Sequence, residues 1–268
     1  MPMYLEHWGL KEFPYENVPD PRFFYLSHHH EEALSRVLYA VKMKKGGAML
    51  SGDIGCGKTT LAKVCIQELS ADRYNISLIV NPKLEPLEFL QEVVYQLGIP
   101  DVPDTKVKCL RVLNDRMTQN MRSSKETVLM VDEAQLLTQA TLEEIRLLLN
   151  AQLNDRFLIT IILFGQPELK ERIRMLQQLD QRIPIKYHLA PFELEDTARY
   201  VEFRLNRAGR EKNAFTRRAI EEIYEVSKGV PRKINNLCDL ALLIGYSKNQ
   251  EIVDVDVVET IIRDGALL

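Results

Sequence analysis

The segment "GDIGCGKTT", residues 52–60, lies between a short apolar run and a helical pattern, and it matches G-x-x-x-x-G-K-[ST]. Glycines let the backbone curl so that consecutive N–H groups point inward at a phosphate. A helix that begins at Lys58 adds its positive N-terminal end. The segment therefore predicts a phosphate-binding loop, with Lys58 directed at the β- and γ-phosphates and the Thr59 hydroxyl on Mg²⁺. The residues predicted to bind nucleotide here are Gly52, Asp53, Ile54, Gly55, Cys56, Gly57, Lys58, Thr59 and Thr60.

Two adjacent carboxylates follow a second apolar run. In "TVLMVDEAQ" (127–135), Asp132 comes directly after the apolar residues 128–131. Its side chain is therefore expected at the carboxyl edge of a sheet, where open α/β sheets bind their ligands. We predict that Asp132 helps to hold Mg²⁺ and that Glu133 is the general base that polarises the attacking water. The alternative is a solvated acidic loop after a strand.

Short apolar runs alternate with amphipathic stretches as far as about residue 190. The runs are apolar on both faces, as buried parallel strands are, and the alternation predicts an α/β fold with a parallel five-stranded sheet between helices. The predicted strands are "GAMLSG" (47–52), "ISLIV" (76–80), "TVLMVD" (127–132), "FLITIILFG" (157–165) and "IKYHLA" (185–190). The helical patterns occupy residues 58–70, 86–97, 106–122, 141–153 and 168–178.

The pattern changes near Pro191, after which no convincing strand follows. Helices are predicted at residues 195–208, 216–227, 231–247 and 254–264. We predict two domains. Residues 1–190 form an α/β nucleotide-binding domain that includes an N-terminal strap of about residues 1–27, and residues 191–268 form a helical domain.

Composition narrows the class of protein. The chain has 268 residues, 46% of them hydrophobic, and a formal net charge of −3, which argues against coating nucleic acid by bulk charge. The four cysteines are scattered without a C-x-x-C pair, so reduced thiols are expected. The N-terminus has no apolar core of a signal peptide, and the longest apolar run, 158–164, has only the length of a strand. We expect a cytoplasmic chain without a membrane span.

The phosphate loop and "LMVDEAQLL" together resemble an AAA+ ATPase. Further stretches are similar to the ExeA-like ATPases, the general secretion pathway protein A group, and the resemblance covers nearly the whole chain. These stretches are "HWGLKEFPYENVPDPRFFYLSHHHEEAL" (7–34), "LFGQPEL" (163–169), "LDQRIPIKYHLAPF" (179–192), "YVEFRLNRAG" (200–209) and "GVPRKINNLCDLAL" (229–242). The resemblance implies an α/β nucleotide domain and a helical lid, with ATP and Mg²⁺ between them.

The resemblance also implies roles for three polar residues. Gln166, after the strand "FLITIILFG", matches the sensor-1 position that contacts the γ-phosphate or the attacking water. Arg182 in "LDQRIPI" matches the arginine finger, which reaches from one subunit into the ATP of the next; Arg174 is a weaker rival, and a surface pair with Asp180 is the alternative. Arg232 in "GVPRKIN" matches sensor 2, which points from the lid at the phosphates.

The strap and the phosphate loop carry two further expectations. In the family the strap lies over the adenine, so Phe24, Tyr25 and Leu26 are predicted to contact the base, with plain core packing as the alternative. Of the three consecutive histidines, His30 fits the family pattern near the nucleotide. Cys56 stands where the family has a small or hydroxyl residue; it is either a tolerated small residue or a redox-sensitive thiol.

Three functions follow from the resemblance and the motifs. The first is an oligomeric ATPase, a ring or filament, that drives assembly or remodelling of a partner in cell-envelope secretion, pilus or polysaccharide systems. The second is a transposon-type regulator that assembles on DNA, and the third is a slow nucleotide-dependent switch. The feature that favours DNA binding is the segment 199–218. It contains seven positively charged and two negatively charged residues, a local excess of five positive charges. The cations are Arg199, Arg204, Arg207, Arg210, Lys212, Arg217 and Arg218.

Overall fold

The computed structural model describes residues 4–153 and 156–265. The strands are β1 Gly47–Gly52, β2 Tyr74–Ile79, β3 Glu126–Val131, β4 Gln152–Leu153, β5 Arg156–Phe157, β6 Ile159–Gly165 and β7 Ile185–Leu189. The helices are α1 Leu5–Trp8, α2 His28–Lys42, α3 Lys58–Glu68, α4 Pro86–Gln96, α5 Lys106–Arg122, α6 Gln139–Leu148, α7 Glu168–Met175, α8 Gln177–Asp180, α9 Leu194–Arg207, α10 Arg217–Ser227, α11 Pro231–Ser247 and α12 Val255–Arg263. Two short 3₁₀ turns cover Pro21–Phe23 and Ala134–Leu136.

The described chain divides into two compact units, one built on a sheet and one built on helices. The sheet unit comprises residues 31–53 and 61–189. Its five-stranded sheet has the order β2-β3-β6-β1-β7, and all neighbouring pairs are parallel. The fold predicted from the sequence is therefore confirmed.

The sheet is held by a continuous apolar core. Strands β1 and β6 are buried along their whole length, because helices cover residues that are apolar on both faces. The core draws side chains from the strands and from α4, α5, α6 and α7, among them Phe89, Leu113, Leu129 and Ile161. Burial of this apolar area is the main stabilising term of the unit.

Several predicted elements have other bounds in the structure, and the helix predicted at residues 168–178 is divided into α7 and α8. The helix predicted at residues 141–153 ends at Leu148, and the strand predicted from residue 157 begins at Ile159. The reason for these two differences is a small antiparallel pair, in which residues 152 and 153 of β4 face residues 157 and 156 of β5. A cross-strand pair of this kind depends on partners that a periodicity along the chain does not encode.

The helical unit comprises residues 4–30, 54–60 and 190–265 among those described. Helices α9–α12 confirm the predicted run of C-terminal helices, and α11 has the predicted bounds. Its separate core contains Trp8, Phe215, Ile223, Leu237 and Val258. Among the described residues of both units, every helix is too short or too polar to cross a membrane.

The N-terminal segment packs with the helices, although the sequence assigned it to the α/β domain. Its aromatic side chains share the helical core, and the indole N–H of Trp8 donates to Leu242 O at 2.9 Å. The Tyr15 hydroxyl donates to Val201 O at 3.0 Å. Burial of these large rings explains the association. The division into domains at residues 190 and 191 stays a prediction.

Candidate active site

Three neighbouring strands of the sheet unit end at the same edge. Because β3, β6 and β1 are parallel and adjacent, the residues that follow them emerge side by side. Asp132 and Glu133 follow β3, Gln166 follows β6, and Asp53 follows β1. The sheet therefore brings the predicted metal ligand, the predicted base and the predicted sensor to one edge.

Asp132 and Glu133 sit on a strained turn. Asp132 is 3% exposed, and its N–H donates to Ile79 O at 2.8 Å, which ties it to the neighbouring strand. Its carboxylate accepts a hydrogen bond of 2.9 Å from the N–H of Glu133. Glu133 itself has φ of 49°, a left-handed conformation that non-glycine residues rarely adopt. Such strain is concentrated at functional sites, where it fixes a side chain in a required direction.

Two amide side chains hold the Glu133 carboxylate. Gln135 Nε2 donates to Glu133 Oε2 at 2.5 Å, and Gln166 Nε2 lies 3.4 Å from the same oxygen. Gln135 also accepts, through Oε1, a hydrogen bond of 3.0 Å from the backbone N–H of Gln166. Gln135 is not among the residues predicted from the sequence. Its only sequence signal is an amide two residues after the acid, in "DEAQ".

Arg172 supports this arrangement from α7. Its guanidinium donates to the carbonyl oxygens of Gln135, in the middle of the short turn after Glu133, and of Leu137, directly after that turn. One planar group with several fixed donors is suited to holding two carbonyls at once. Arg172 therefore fixes the turn that carries Gln135, and it too is not among the residues predicted from the sequence.

Arg182 lies at the opposite edge of the sheet. A Cβ on Gly47, the first residue of β1, would approach Arg182 O to 2.8 Å. At about 3.3 Å per residue, a six-residue strand separates this end from the carboxyl edge by roughly 16 Å. The Arg182 side chain donates to Leu149 O at 3.3 Å and lines an open cavity with Lys45, Phe157, Gln178, Gln181 and Pro184. The structure does not bring Arg182 to Glu133 and Gln166. The rival Arg174 is an exposed residue paired with Glu171.

In the helical unit, the phosphate loop approaches the start of α11. Gly55 and Gly57 have φ of 87° and 90°, the positive range for which glycine is needed. The N–H of Arg232 donates to Gly55 O at 3.3 Å. A Cβ on Gly55 would lie 2.7 Å from the Cβ of Arg232, so only glycine permits this approach. Arg232, predicted as sensor 2, thus contacts the loop through its backbone, and its side chain is exposed.

The remaining loop residues begin α3. Lys58 is buried at 6% exposure, and it starts the helix together with Thr59 and Thr60 in the first turn. A buried start of a helix directly after two glycines with positive φ is the geometry that phosphate loops use. Ile54, by contrast, is 60% exposed.

A buried histidine, His30, contacts the middle of the phosphate loop. His30 Nε2 lies 3.0 Å from Cys56 O, and His30 Nδ1 lies 2.7 Å from the Ser27 hydroxyl. Burial lowers the pKa of His30 to about 4, opposed by its hydrogen bond to the Cys56 backbone. Cys56 has no exposed surface, whereas redox-sensitive cysteines are partly accessible. The burial therefore favours the tolerated small residue over the redox thiol.

The three strap residues predicted to contact adenine have different surroundings. Tyr25 packs against the rings of Phe192 and Phe203, and its hydroxyl donates to Asp196 at 3.1 Å; burial raises its pKa, with Asp196 adding to the effect. Phe24 meets His30 edge to face at 5.4 Å, and Leu26 is 47% exposed. The three line one open cavity of about 570 Å³ together with Glu12, Pro21, Arg22, Phe23, Phe203 and Arg207.

The fold and these motifs define the class. The structure is an AAA+ P-loop fold, and a family model described as "AAA domain" matches residues 41–173. The resemblance predicted from the sequence is also confirmed. The chain is 36% identical over 259 residues to General secretion pathway protein A of Aeromonas hydrophila, across 95% of this chain and 47% of that protein. The chain thus spans about half the length of this curated relative.

Solved structures with the same fold are more distant in sequence. The Aeropyrum pernix ORC2 protein, in ADPNP and ADP complexes, has a TM-score of 0.67 at 19% identity, with 88% of this chain and 66% of that chain covered. The Aeropyrum pernix ORC1 protein in complex with DNA has a TM-score of 0.69 at 16% identity, with 94% and 69% covered. The Thermotoga maritima RuvB branch migration motor has a TM-score of 0.58 at 20% identity, with 87% and 67% covered. At these identities the likeness concerns the fold alone.

Proposed function

We propose that the chain is a Mg²⁺-dependent ATPase that works as an oligomer. The observation that carries the proposal is the convergence of Glu133 and Gln166 within 3.4 Å, next to Asp132, at the ends of neighbouring strands. A chain that only bound nucleotide would not need a base and an orienting amide together. The glycine loop before α3 supplies the second requirement, a cradle of backbone N–H groups for phosphates.

The donor set fits magnesium. Thr59 and Asp132 offer a hydroxyl and a carboxylate, the hard oxygen ligands that Mg²⁺ takes alongside phosphate oxygens. The ion, when bound, neutralises negative charge on the β- and γ-phosphates. Asp132 is buried and already oriented by the N–H of Glu133, so its carboxylate is held in one direction.

The chain's own residues perform the remaining steps. Glu133 accepts a proton from the attacking water, and Gln166 orients that water by a hydrogen bond. The water oxygen bonds to the γ-phosphorus as the bond to the β–γ bridging oxygen breaks, releasing ADP and inorganic phosphate. Lys58 and the loop N–H groups stabilise the charge that moves onto the phosphate oxygens. Arg232 is proposed to contribute a further positive charge from α11.

Glu133→Gln tests the proposal directly. We expect this variant to bind MgATP as wild type does and to lose phosphate release by about 10²-fold or more, because the amide cannot take a proton. Glu225→Gln on α10 is the matched control, since it neutralises an exposed carboxylate that pairs with Lys228. Equal turnover by wild type and Glu133→Gln refutes the catalytic assignment.

The position of Arg182 supports the proposed oligomerisation. We propose that its guanidinium completes the site of a neighbouring subunit, because the Arg182 backbone lies at the amino end of β1, roughly 16 Å from the carboxyl edge of its own sheet. In that setting it stabilises charge on the transferred phosphoryl group.

We propose a partner complex in cell-envelope secretion, pilus or polysaccharide systems, and the similarity to General secretion pathway protein A supports secretion among these. We propose that hydrolysis drives assembly or remodelling of that complex by a cytoplasmic ATPase. Affinity capture with the Glu133→Gln variant, loaded with ATP, tests this: a shared envelope component supports it, and capture of DNA alone contradicts it.

DNA binding by the segment 199–218 receives less support. Arg204 is buried and donates to Tyr200 and to Glu16 O, and Arg210 donates to Trp8 O. Arg217 pairs with Glu195 and Glu221. Two of the seven cations thus serve internal contacts, and a third is paired with carboxylates at the surface, which leaves less charge for a phosphate backbone. An ATP-dependent, salt-sensitive shift of DNA mobility would revive this alternative.

A further inference from the structure

His30 lies between the N-terminal strap and the phosphate loop of the helical unit. Its side chain is 2% exposed. The Phe24 ring meets it edge to face at 5.4 Å, and the Phe192 ring lies at 5.2 Å. One ring nitrogen faces Cys56 O and the other faces the Ser27 hydroxyl. The imidazole is therefore held on four sides, and both of its nitrogens have a partner.

These partners determine the tautomer. A carbonyl oxygen only accepts hydrogen bonds, so Nε2 carries the proton and donates to Cys56 O at 3.0 Å. In the neutral imidazole Nδ1 is then an acceptor, and the Ser27 hydroxyl donates to it at 2.7 Å. Burial lowers the pKa of His30 to about 4, which keeps this neutral form at physiological pH.

The hydrogen bond sets the direction of one peptide group. Every peptide bond of the described chain is trans, so the carbonyl of Cys56 and the N–H of Gly57 point in opposite directions. Because His30 holds the carbonyl on its own side, the N–H of Gly57 points away from His30. Gly57 has φ of 90°, where glycine moves easily among conformations, so this peptide needs an external restraint.

We propose that His30 is a positioning residue for phosphate binding: by holding Cys56 O, it directs the N–H of Gly57 toward the bound polyphosphate. This inference rests on the proposed ATPase function and assigns a residue outside the phosphate-loop motif to it. Without the restraint the peptide can rotate and present its carbonyl oxygen to the phosphate. One attractive dipole would then become a repulsive one.

The test compares four variants of the full chain. His30→Gln retains a donor long enough to reach Cys56 O, His30→Asn has the same amide on a shorter side chain, and His30→Leu fills the space without a donor. His188→Leu is the matched control, because His188 is an exposed histidine on β7. MgATP and MgADP affinities are measured by calorimetric titration, and KM and kcat by phosphate release. Urea unfolding of the apo proteins checks their stability.

We expect His30→Leu and His30→Asn to lose affinity for both nucleotides by on the order of tenfold to hundredfold, as for a lost hydrogen bond to a buried acceptor. His30→Gln should stay within about threefold of wild type. The loss should raise KM more than it lowers kcat, because ground-state and transition-state phosphates use the same N–H. A residue that only filled space would be replaced by Leu at least as well as by Gln.

Nitrogen-15 NMR of histidine provides a readout independent of activity. We expect the His30 resonances to show a proton on Nε2 at pH 7 and no titration down to pH 5. A proton on Nδ1, or equal affinities of the Gln and Asn variants, overturns the proposal even if His30→Leu does not fold. If the wild type itself binds no MgATP, both the proposed function and the positioning role are contradicted. If the wild type binds MgATP and the His30 variants bind it equally well, only the positioning role is contradicted.

Discussion

The carboxylate of Glu133 accepts a 2.5 Å hydrogen bond from the side-chain amide of Gln135, two residues along the same turn. Through its other end Gln135 accepts from the N–H of Gln166, so one side chain joins the ends of β3 and β6. The carboxylate predicted as the general base is thus oriented before any substrate arrives. Preorganisation of this kind is how active sites gain rate.

Gln135→Ala should reduce kcat by about threefold to tenfold with little change in KM, because a hydrogen bond that orients the base is lost while the phosphate contacts remain. Steady-state phosphate release measures the effect. Gln119→Ala, on the exposed side of α5, is the control. A change in KM alone would show that Gln135 serves binding.

Lys58→Ala should abolish measurable binding of MgATP, whereas Glu133→Gln should retain it. The reason is that Lys58, in the proposed function, meets the phosphates in the ground state as well as in the transition state. Calorimetric titration of the two variants gives the comparison, with Lys248→Ala, beyond the end of α11, as the control. If Lys58→Ala bound ATP with normal affinity, the assignment of the phosphate loop to the proposed site would be contradicted.

Mixing two inactive variants should restore activity if Arg182 acts on a neighbour. Arg182→Ala keeps an intact nucleotide site but lacks the finger, with an expected loss of about 10³-fold or more. Lys58→Ala lacks the nucleotide site but keeps the finger. Phosphate release by the mixture should exceed that of either variant alone and rise with total protein concentration. A mixture as inactive as its components, together with concentration-independent turnover of wild type, contradicts action between subunits.

Gly229→Ala should lower the free energy of unfolding more than Gly9→Ala, although the two glycines have similar φ of 71° and 65°. A Cβ at residue 229 would lie 1.9 Å from Phe192 O, whereas nothing lies within 4 Å of one at residue 9. Gly9→Ala then carries only the left-handed penalty of about 1–2 kcal/mol, and Gly229→Ala adds a steric clash to it. Urea unfolding measures the free energy of unfolding of both variants. Equal losses would show that the backbone at Phe192 moves to accommodate the added Cβ without cost.

Acid should destabilise the wild type through His30. The pKa is lowered by burial to about 4, with His29 adding to the fall and Asp196 and the bond to Cys56 opposing it. The unfolded chain binds a proton below its ordinary pKa of about 6.5, while the folded chain does so only near 4. The contribution of neutral His30 to the free energy of unfolding is therefore fully present above pH 6.5. It falls by about 3 kcal/mol as the pH is lowered toward 4. Urea midpoints of His30→Gln across this range should change less than those of wild type; parallel curves would contradict the assignment.

Much of the fold could be predicted because local patterns encode it. The five strands are short apolar runs, and α5 and α11 have the predicted bounds because their apolar spacing, their capping positions and Pro231 all lie in the segment itself. The small β4–β5 pair could not be predicted, since it depends on a partner rather than on a period.

The candidate site could be predicted only as far as its motifs. Asp132, Glu133 and the loop 52–60 are recognisable because each chemistry requires a residue type at a set spacing. Gln135 and Arg172 are not, because their roles arise from a left-handed turn at Glu133 and from α7, which follows β6 rather than β3. The roles of Gln166, Arg182 and Arg232 stay predictions, with their surroundings now described.

The sequence by itself determined the main elements, their order and the phosphate-loop motif of this protein, because glycine content, apolar period and motif spacing act over a few residues. The tertiary structure decided which groups meet: Gln135 with Glu133 and Gln166, Arg232 with Gly55, and His30 with Cys56. It also joined the N-terminal aromatic residues to the helical core. Most of these contacts link residues far apart along the chain, and their energy exists only once packing has brought the partners within hydrogen-bond or van der Waals distance.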